Sequence, residues 1–296
     1  MINAVIQPYA QQAASPCLWW DGLKRDAAEP PLETDTTADT AIVGGGYTGL
    51  WTAYFLKQLQ PDLDVMLVEA KRIGHGASGR NGGWLMGALE GCDAFTDDSG
   101  TLPAAARQQL TQLVSRAGEI LVKENIDCDF HHGGCIVAAA RHDVQVARAQ
   151  KILAGFHGLG FGEDDYRWLT PTELRDRVQV ANPGGAVFTP HVARIQPAKL
   201  VTGLARVVKS LGVRVFEHTR AHDIHSGVIQ CDRGNIQAGQ IVVATEGYSE
   251  AGNPLHRRVI PLQTGMVATE PLSDMQWSGL GFADKETFAD CTRAAT

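Results

Sequence analysis

TAIVGGGYTGLWTAYFLKQLQ, residues 40–60, followed by VMLVE, residues 65–69, is the stretch whose reading decides the fold. Ala41-Ile42-Val43 is a short apolar run of the kind that forms a buried strand. After the glycine-rich turn, Leu50, Ala53, Tyr54 and Leu56 recur at helical spacing, and Pro61 closes the segment. Val65-Met66-Leu67-Val68 is a second buried strand, and Glu69 ends it. Strand, crossover helix and strand of this length make a βαβ unit.

The turn reads GGGYTG and fits the G-x-G-x-x-G fingerprint of a dinucleotide site. Alone it is weak evidence, because glycine-rich chains contain it by chance. Its context supplies the rest: a buried strand before it, an amphipathic helix after it, and an acidic residue at the end of the next strand. Gly44 permits the tight turn, Gly46 lets the backbone approach a pyrophosphate, and Gly49 lets the helix lie close to the sheet. The helix N-terminus at Tyr47 and Thr48 offers unpaired N–H groups and the positive end of the helix dipole to the phosphates. Glu69 is placed to accept hydrogen bonds from both hydroxyls of an adenosine ribose. A carboxylate there repels a 2′-phosphate, so a phosphorylated nicotinamide dinucleotide is disfavoured.

Outward from this unit, a second glycine-rich run, GHGASGRNGG, occupies residues 74–83. In a simple dehydrogenase more parallel strands and helices should come here. Instead the glycines suit a main chain lying against a long, extended ligand, with Ser78, Arg80 and Asn81 as polar groups. Helices are expected over residues 103–124, 143–156 and 197–211, with a further start at Thr170-Pro171-Thr172-Glu173, where Thr170 can cap and Pro171 suits the first helical position. Strands are expected over residues 135–139 and 213–217. Residues 228–231 and 236–238 read as a hairpin, and 241–245 as a third short buried strand. Before residue 40 the chain reads as an arm whose Trp19-Trp20 pair packs on the body.

The order of elements gives the expected fold class: α/β, with a Rossmann-like dinucleotide-binding domain interrupted by an α+β substrate domain carrying an antiparallel sheet. The expected boundaries are an N-terminal arm at 1–34, a discontinuous binding domain at 35–90 and 191–250, and a substrate domain at 91–190 and 251–296. The bulk numbers exclude several classes. A net charge of −7 is the wrong sign for a general nucleic-acid surface. No apolar run reaches the ~18 residues of a membrane span. The six cysteines are scattered with no CxxC pair, so reduced thiols in a cytoplasm fit better than a disulfide framework. The N-terminal residues lack the pattern of a secretory signal. His218, His222 and His225 tempt a metal assignment, but they fall on a strand and turn, where their side chains do not converge, so no metal is expected. No Gly-x-Ser-x-Gly elbow is present.

GGGYTGLWTAYFLK and VEAKRIGHGASGRNGGW, continued by PHVARIQPAKLVTGLARVVKSLGVRVFEHT and IVVATEGYS, resemble the FAD-dependent oxidoreductases of the D-amino-acid oxidase superfamily. Within it the gamma-glutamylputrescine oxidase-like and glycine oxidase-like members are the most similar. The resemblance implies FAD as cofactor and oxidation of a C–N bond of a small-molecule amine or amino acid by hydride transfer to flavin N5. By position it implies that Gly44, Gly46, Tyr47, Thr48, Gly49, Glu69 and Ala70 hold the ADP half. Ser78, Arg80, Asn81, Gly82 and Gly83 would run past the pyrophosphate and ribityl chain toward the flavin ring. Ala221 matches the position that pairs with the adenine edge, and Thr245 and Gly247 match a turn beside the dinucleotide. His191 and Arg194 are candidates to line the substrate pocket, and no residue is assigned the chemical step. Relatives return to the FAD domain through another glycine-rich strand–helix segment. Nothing after Gly265 reads as that segment, so the expectation is a truncated or fragmentary end. Two alternatives stay open at this level: a non-catalytic remnant with weak or no FAD binding, and an NAD-linked dehydrogenase. The residues name neither the amine, nor the electron acceptor, nor the oligomeric state.

Overall fold

Strand β1, Thr36–Val43, finds its backbone partners on both sides, which fixes the order of everything around it. The computed structural model describes residues 17–87, 92–249, 258 and 264–291. The start of the N-terminal arm, residues 1–16, and the expected boundary at 250–251 lie outside the described residues. The chain divides into two compact units, Met1–Gly82 with Pro197–Val267, and Gly83–Gln196 with Ala268–Thr296.

In the first unit β1 leads through helix α1, Tyr47–Leu59, to β2, Val65–Val68. The second unit holds β3, Trp84–Met86; α2, Ala104–Lys123; β4, Cys135–Ala138; α3, Asp143–Gly158; β5, Arg167–Leu169; α4, Pro171–Arg177; β6, Ala186–Thr189; and β7, Val192–Arg194. The chain then re-enters the first unit with α5, Pro197–Ser210; β8, Arg214–Phe216; β9, Ala221–His225; β10, Val228–Cys231; and β11, Asn235–Val243. Helix α6, Asp274–Leu280, and strand β12, Thr287–Asp290, belong to the second unit.

The first unit is built on a six-stranded sheet in the order β8-β2-β1-β11-β10-β9. Its first four strands are mutually parallel, and β10 and β9 continue it as an antiparallel hairpin. The register pairs Val43 with both Val68 and Val243, and Val68 with Phe216. Four parallel strands therefore end level, along one edge of the sheet. Both faces are covered, which is why these strands read as unbroken apolar runs. Ala41, Val43, Met66 and Val68 pack on one side with Leu32, Ile229 and Ile236. Helix α5 buries Leu200, Val201, Leu204, Val207 and Val208 at helical spacing while Arg206 stays exposed, and it lies beside α1.

The elements differ from the sequence reading in two places here. The segments at 236–238 and 241–245 are one strand, β11, because β1 pairs with it from Thr36 to Val43 without a break. Gly239 does not interrupt it; a Cβ there would lie 3.0 Å from Asp39 O, so the glycine serves close backbone approach. The far end of β11 is also less buried than expected, since β10 pairs only with its first residues and leaves Ile241–Val243 half-buried.

The second unit carries a four-stranded sheet, β12-β4-β6-β5, and a two-stranded ladder, β3-β7. The larger sheet is mixed, not wholly antiparallel: β12, from the C-terminal part, adds to β4 in parallel. Helix α4 starts as read, with Thr170 accepting from Glu173 N at 3.3 Å and Glu173 accepting from Thr170 N at 2.8 Å.

Candidate dinucleotide site

The level ends of β8, β2, β1 and β11 leave a crevice outside their carboxyl ends, where doubly wound sheets take their ligands. A cleft of about 1150 Å³ lies there, and all its lining residues belong to the first unit.

Its floor is the glycine turn. Gly44 has φ +117°, and its N–H bonds Val68 O at 2.9 Å. A Cβ on it would sit 2.4 Å from Ala244 O, so both conformation and space require glycine. A Cβ on Gly49 would sit 2.0 Å from Gly44 O, so the helix packs down onto its own turn. Gly46 opens α1 and lines the cleft with Tyr47 and Thr48. The N–H groups of Gly46 and Thr48 have no acceptor among the described residues. Two orphan donors at a helix N-terminus, facing a cleft, fit an anionic pyrophosphate.

Glu69 is more than a group waiting for a ribose. Its Oε2 accepts from Gly45 N at 2.8 Å and its Oε1 from Lys71 N at 2.9 Å. The carboxylate thus pins the glycine turn while keeping lone pairs for a ligand. Burial pushes its pKa above the usual carboxylate range, and the two backbone N–H bonds pull part of the way back. Ala70, Ala221 and Thr245 line the same cleft. Ala221 opens β9, and Thr245 Oγ1 pairs with Ser249 Oγ at 2.9 Å.

The side chains of the second glycine-rich run make bonds of their own around the turn. Ser78 lines the cleft, and its Oγ accepts the N–H of Tyr47 at 2.9 Å, which caps α1 from a distant loop. Arg80 Nε donates to His75 O at 2.7 Å, and Asn81 Nδ2 donates to Ser78 O at 2.9 Å. Those two side chains hold the loop's own shape. Arg80, Asn81, Gly82, Gly83 and Gly247 do not line the cleft. In the second unit His191 Nε2 lies 2.8 Å from Asp165 Oδ1, and Arg194 is exposed on β7.

Three features escaped the sequence reading. Glu217, at the end of β8, is buried and accepts from Glu29 N at 2.8 Å and Ile73 N at 2.6 Å. Arg72 Nε lies 2.9 Å from the same carboxylate. An acid ending a second parallel strand, as Glu69 does, was the available signal. His75 lines the cleft, and burial together with Arg80, Lys71 and Arg25 pushes its pKa down. Lys71 and Arg220 also line it, placing cationic side chains at a site suited to phosphates; nothing in their spacing announced that. The tempting histidines disperse: His222 pairs with Asp232, and His225 Nδ1 lies 3.1 Å from Asp223. No group of three or more candidate metal ligands comes together among the described residues. Nor is any helix there long and apolar enough to cross a membrane.

The profile of the DAO family, described as FAD dependent oxidoreductase, matches residues 39–292. The chain belongs to this family. As a DAO-family protein its cofactor is FAD, and its mixed α/β sheets are those of the family fold. It is 30% identical over 252 residues to gamma-glutamylputrescine oxidoreductase of Escherichia coli K12, an alignment covering 82% of this chain and 57% of that protein. Glycine oxidase of Geobacillus kaustophilus is 25% identical over 218 residues, covering 71% and 55%. Among solved structures, glycine oxidase from Geobacillus kaustophilus superposes with a TM-score of 0.59 at 24% identity, over 75% of this chain and 58% of that one. L-Amino acid deaminase from Proteus myxofaciens gives 0.55 at 20%, over 75% and 48%. At these identities the superpositions speak for the fold. The chain spans 57 to 64% of the length of the first three curated relatives it matches.

Proposed function

We propose that this DAO-family chain holds FAD in the strand-end cleft and serves the oxidation of a C–N bond in a small-molecule amine or amino acid. The observation that carries the reading is the cleft's donor set: two orphan N–H groups at the start of α1, with Glu69 at the end of the adjacent strand. Bound FAD supplies a two-electron acceptor, with hydride delivered to flavin N5.

The chain's own residues do the holding. Gly46 and Thr48 N–H groups, backed by the dipole of α1, receive the pyrophosphate, and Lys71 and Arg220 add positive charge. Glu69 accepts from the adenosine ribose and excludes a 2′-phosphate. Ala221 borders the adenine end, and Thr245 lines the same cleft. Ser78 keeps the turn and the second glycine loop in register through Tyr47 N. In this reading Gly44, Gly49, Arg80, Asn81, Gly82, Gly83 and Gly247 shape the site without touching the phosphates. In this reading the first unit is the FAD-binding domain and the second the substrate domain; the units change over after residues 82, 196 and 267, where the sequence reading placed 90, 190 and 250. The similarity to gamma-glutamylputrescine oxidoreductase and glycine oxidase supports an amine or amino-acid substrate. None of the six cysteines forms a disulfide, which supports a cytoplasmic setting.

The test is spectroscopic and catalytic. Protein reconstituted with FAD should show a flavin absorption band after gel filtration and bleach it anaerobically on addition of a primary or secondary amine. A flavin band that no amine or amino acid bleaches would contradict the proposed reaction and leave the cofactor site standing.

A further inference from the structure

Before β1 the described chain runs against the outside of the second glycine loop. The turn Leu18–Trp20 sits directly on it. Trp19 Nε1 donates to Asn81 O at 2.8 Å, and Cys17 Sγ approaches Gly79 O at 3.9 Å. Trp20 shares the space beside the loop's glycines: a Cβ on Gly79 would meet Gly74 O at 2.2 Å and Trp20 Cζ2 at 2.7 Å, and one on Gly74 would meet Val201 Cγ1 at 2.5 Å and Trp20 Cζ2 at 3.3 Å. Arg25 covers the other side of the Trp20 ring, its Cζ 3.6 Å from the centroid. Further along, Arg72 Nη2 donates to Asp26 O at 2.9 Å, Glu29 N to Glu217, and Leu32 N to Thr219 Oγ1 at 2.9 Å. Thr219 is itself a cleft-lining residue, whereas none of the described residues of the arm lines the cleft.

The glycines at 74 and 79 thus have a role that a ligand does not explain. They are bare on the side where the indole packs. The loop they allow carries Ser78, whose Oγ fixes Tyr47 N at the mouth of the cleft. A mechanical path runs from Trp20 through the loop backbone to the N-terminus of α1.

We propose that residues 17–32 are a strap that holds the cofactor loop in its binding shape, with Trp19 and Trp20 as positioning residues for FAD. This rests on the reading that FAD occupies the cleft. The strap tightens FAD binding without contacting the cofactor, by ordering the loop before the ligand arrives. Coupling of this kind is reciprocal, so FAD must also hold the strap down.

The experiment pairs FAD titration, followed by flavin fluorescence, with limited trypsin cleavage at the exposed Lys24 and Arg25. In the wild-type chain FAD should slow cleavage at those two sites. Trp20→Ala should weaken FAD binding by about tenfold or more, since a half-buried ring is lost and the loop gains freedom. Trp20→Phe should restore most of the affinity. Its ring refills the space, and it removes an indole N–H that is buried with no acceptor among the described residues. Trp19→Phe removes the N–H bond to Asn81 together with part of the ring, and should cost about three- to fivefold. It decides the matter if Trp20→Ala fails to fold. In the weakened variants FAD should no longer protect Lys24 and Arg25. Variants that bind FAD like the wild type, with unchanged protection, would overturn the strap while leaving the FAD site intact. A wild-type chain that takes up no FAD would overturn the site itself, and the strap with it.

Discussion

Glu69 and Glu217 end neighbouring parallel strands, β2 and β8, at the same level of the same sheet, yet they do different work. Glu69 lines the cleft and takes its two backbone bonds from the glycine turn and from Lys71. Glu217 is turned to the interior of the unit, where Glu29 N, Ile73 N and Arg72 saturate it. A carboxylate at the end of a parallel strand is therefore not in itself a ligand group. What decides is which donors the surrounding chain supplies and whether lone pairs remain facing open space. One acid faces the cleft and pins the turn; its neighbour ties the arm to the loop.

Removing each acid should separate these roles. Glu217→Ala leaves Arg72 without its counter-charge and strands two buried N–H donors, so unfolding free energy should fall by about 2–4 kcal/mol, read from urea denaturation. Glu69→Ala should cost less stability, about 1–2 kcal/mol, because its donors lie beside the cleft and water can reach them. In return it should weaken FAD binding by about tenfold, the larger binding effect of the pair after correction for folding.

Titration sharpens the contrast further. The Glu69 carboxyl is raised in the folded state, so the folded chain binds more protons there than the unfolded one. Stability from this group is fully present below the ordinary carboxylate pKa and is lost as pH rises through the raised folded value. Glu69→Gln should flatten the stability profile in that window, measured by urea denaturation of the apoprotein at a series of pH values. The smallest expected effect is at His75, whose pKa is depressed. There the folded chain binds fewer protons, so stability is present above the unfolded histidine pKa and declines as pH falls through that value toward the depressed one. His75→Asn should remove that slope, a change confined to mildly acidic pH.

The glycine turn was legible because its requirements are local. Gly49 must be glycine for a reason contained within the turn and its helix, and the positive φ of Gly44 is equally local, although the approach of Gly44 to Ala244 O is not. Glu69 was legible as a strand end but not as the group that pins Gly45, since that bond depends on how the turn folds back. The loop at 74–83 was half legible. Its glycines announce close approach, but the side chains they approach include Trp20, more than fifty residues earlier, and Val201, far later, and no periodicity links them. Arg80 and Asn81 also bond their own loop, which the sequence does not announce, because a tight glycine-rich loop leaves many carbonyls to satisfy. The single strand β11 read as two segments because Gly239 looks like a break in one dimension; only its pairing with β1 shows otherwise. β12 went unread because four residues of mixed character become a strand only beside β4.

The central claim is that the strand-end cleft is an FAD site in which Glu69 reads the adenosine ribose. Equilibrium titration of the wild-type chain with FAD, competed by ADP and separately by 2′-phosphorylated ADP, tests it most directly. The account predicts one FAD bound per chain, displaced by ADP and not by its 2′-phosphorylated form, with that discrimination lost in Glu69→Ala. Absence of FAD binding, or equal competition by both nucleotides in the wild type, would contradict it.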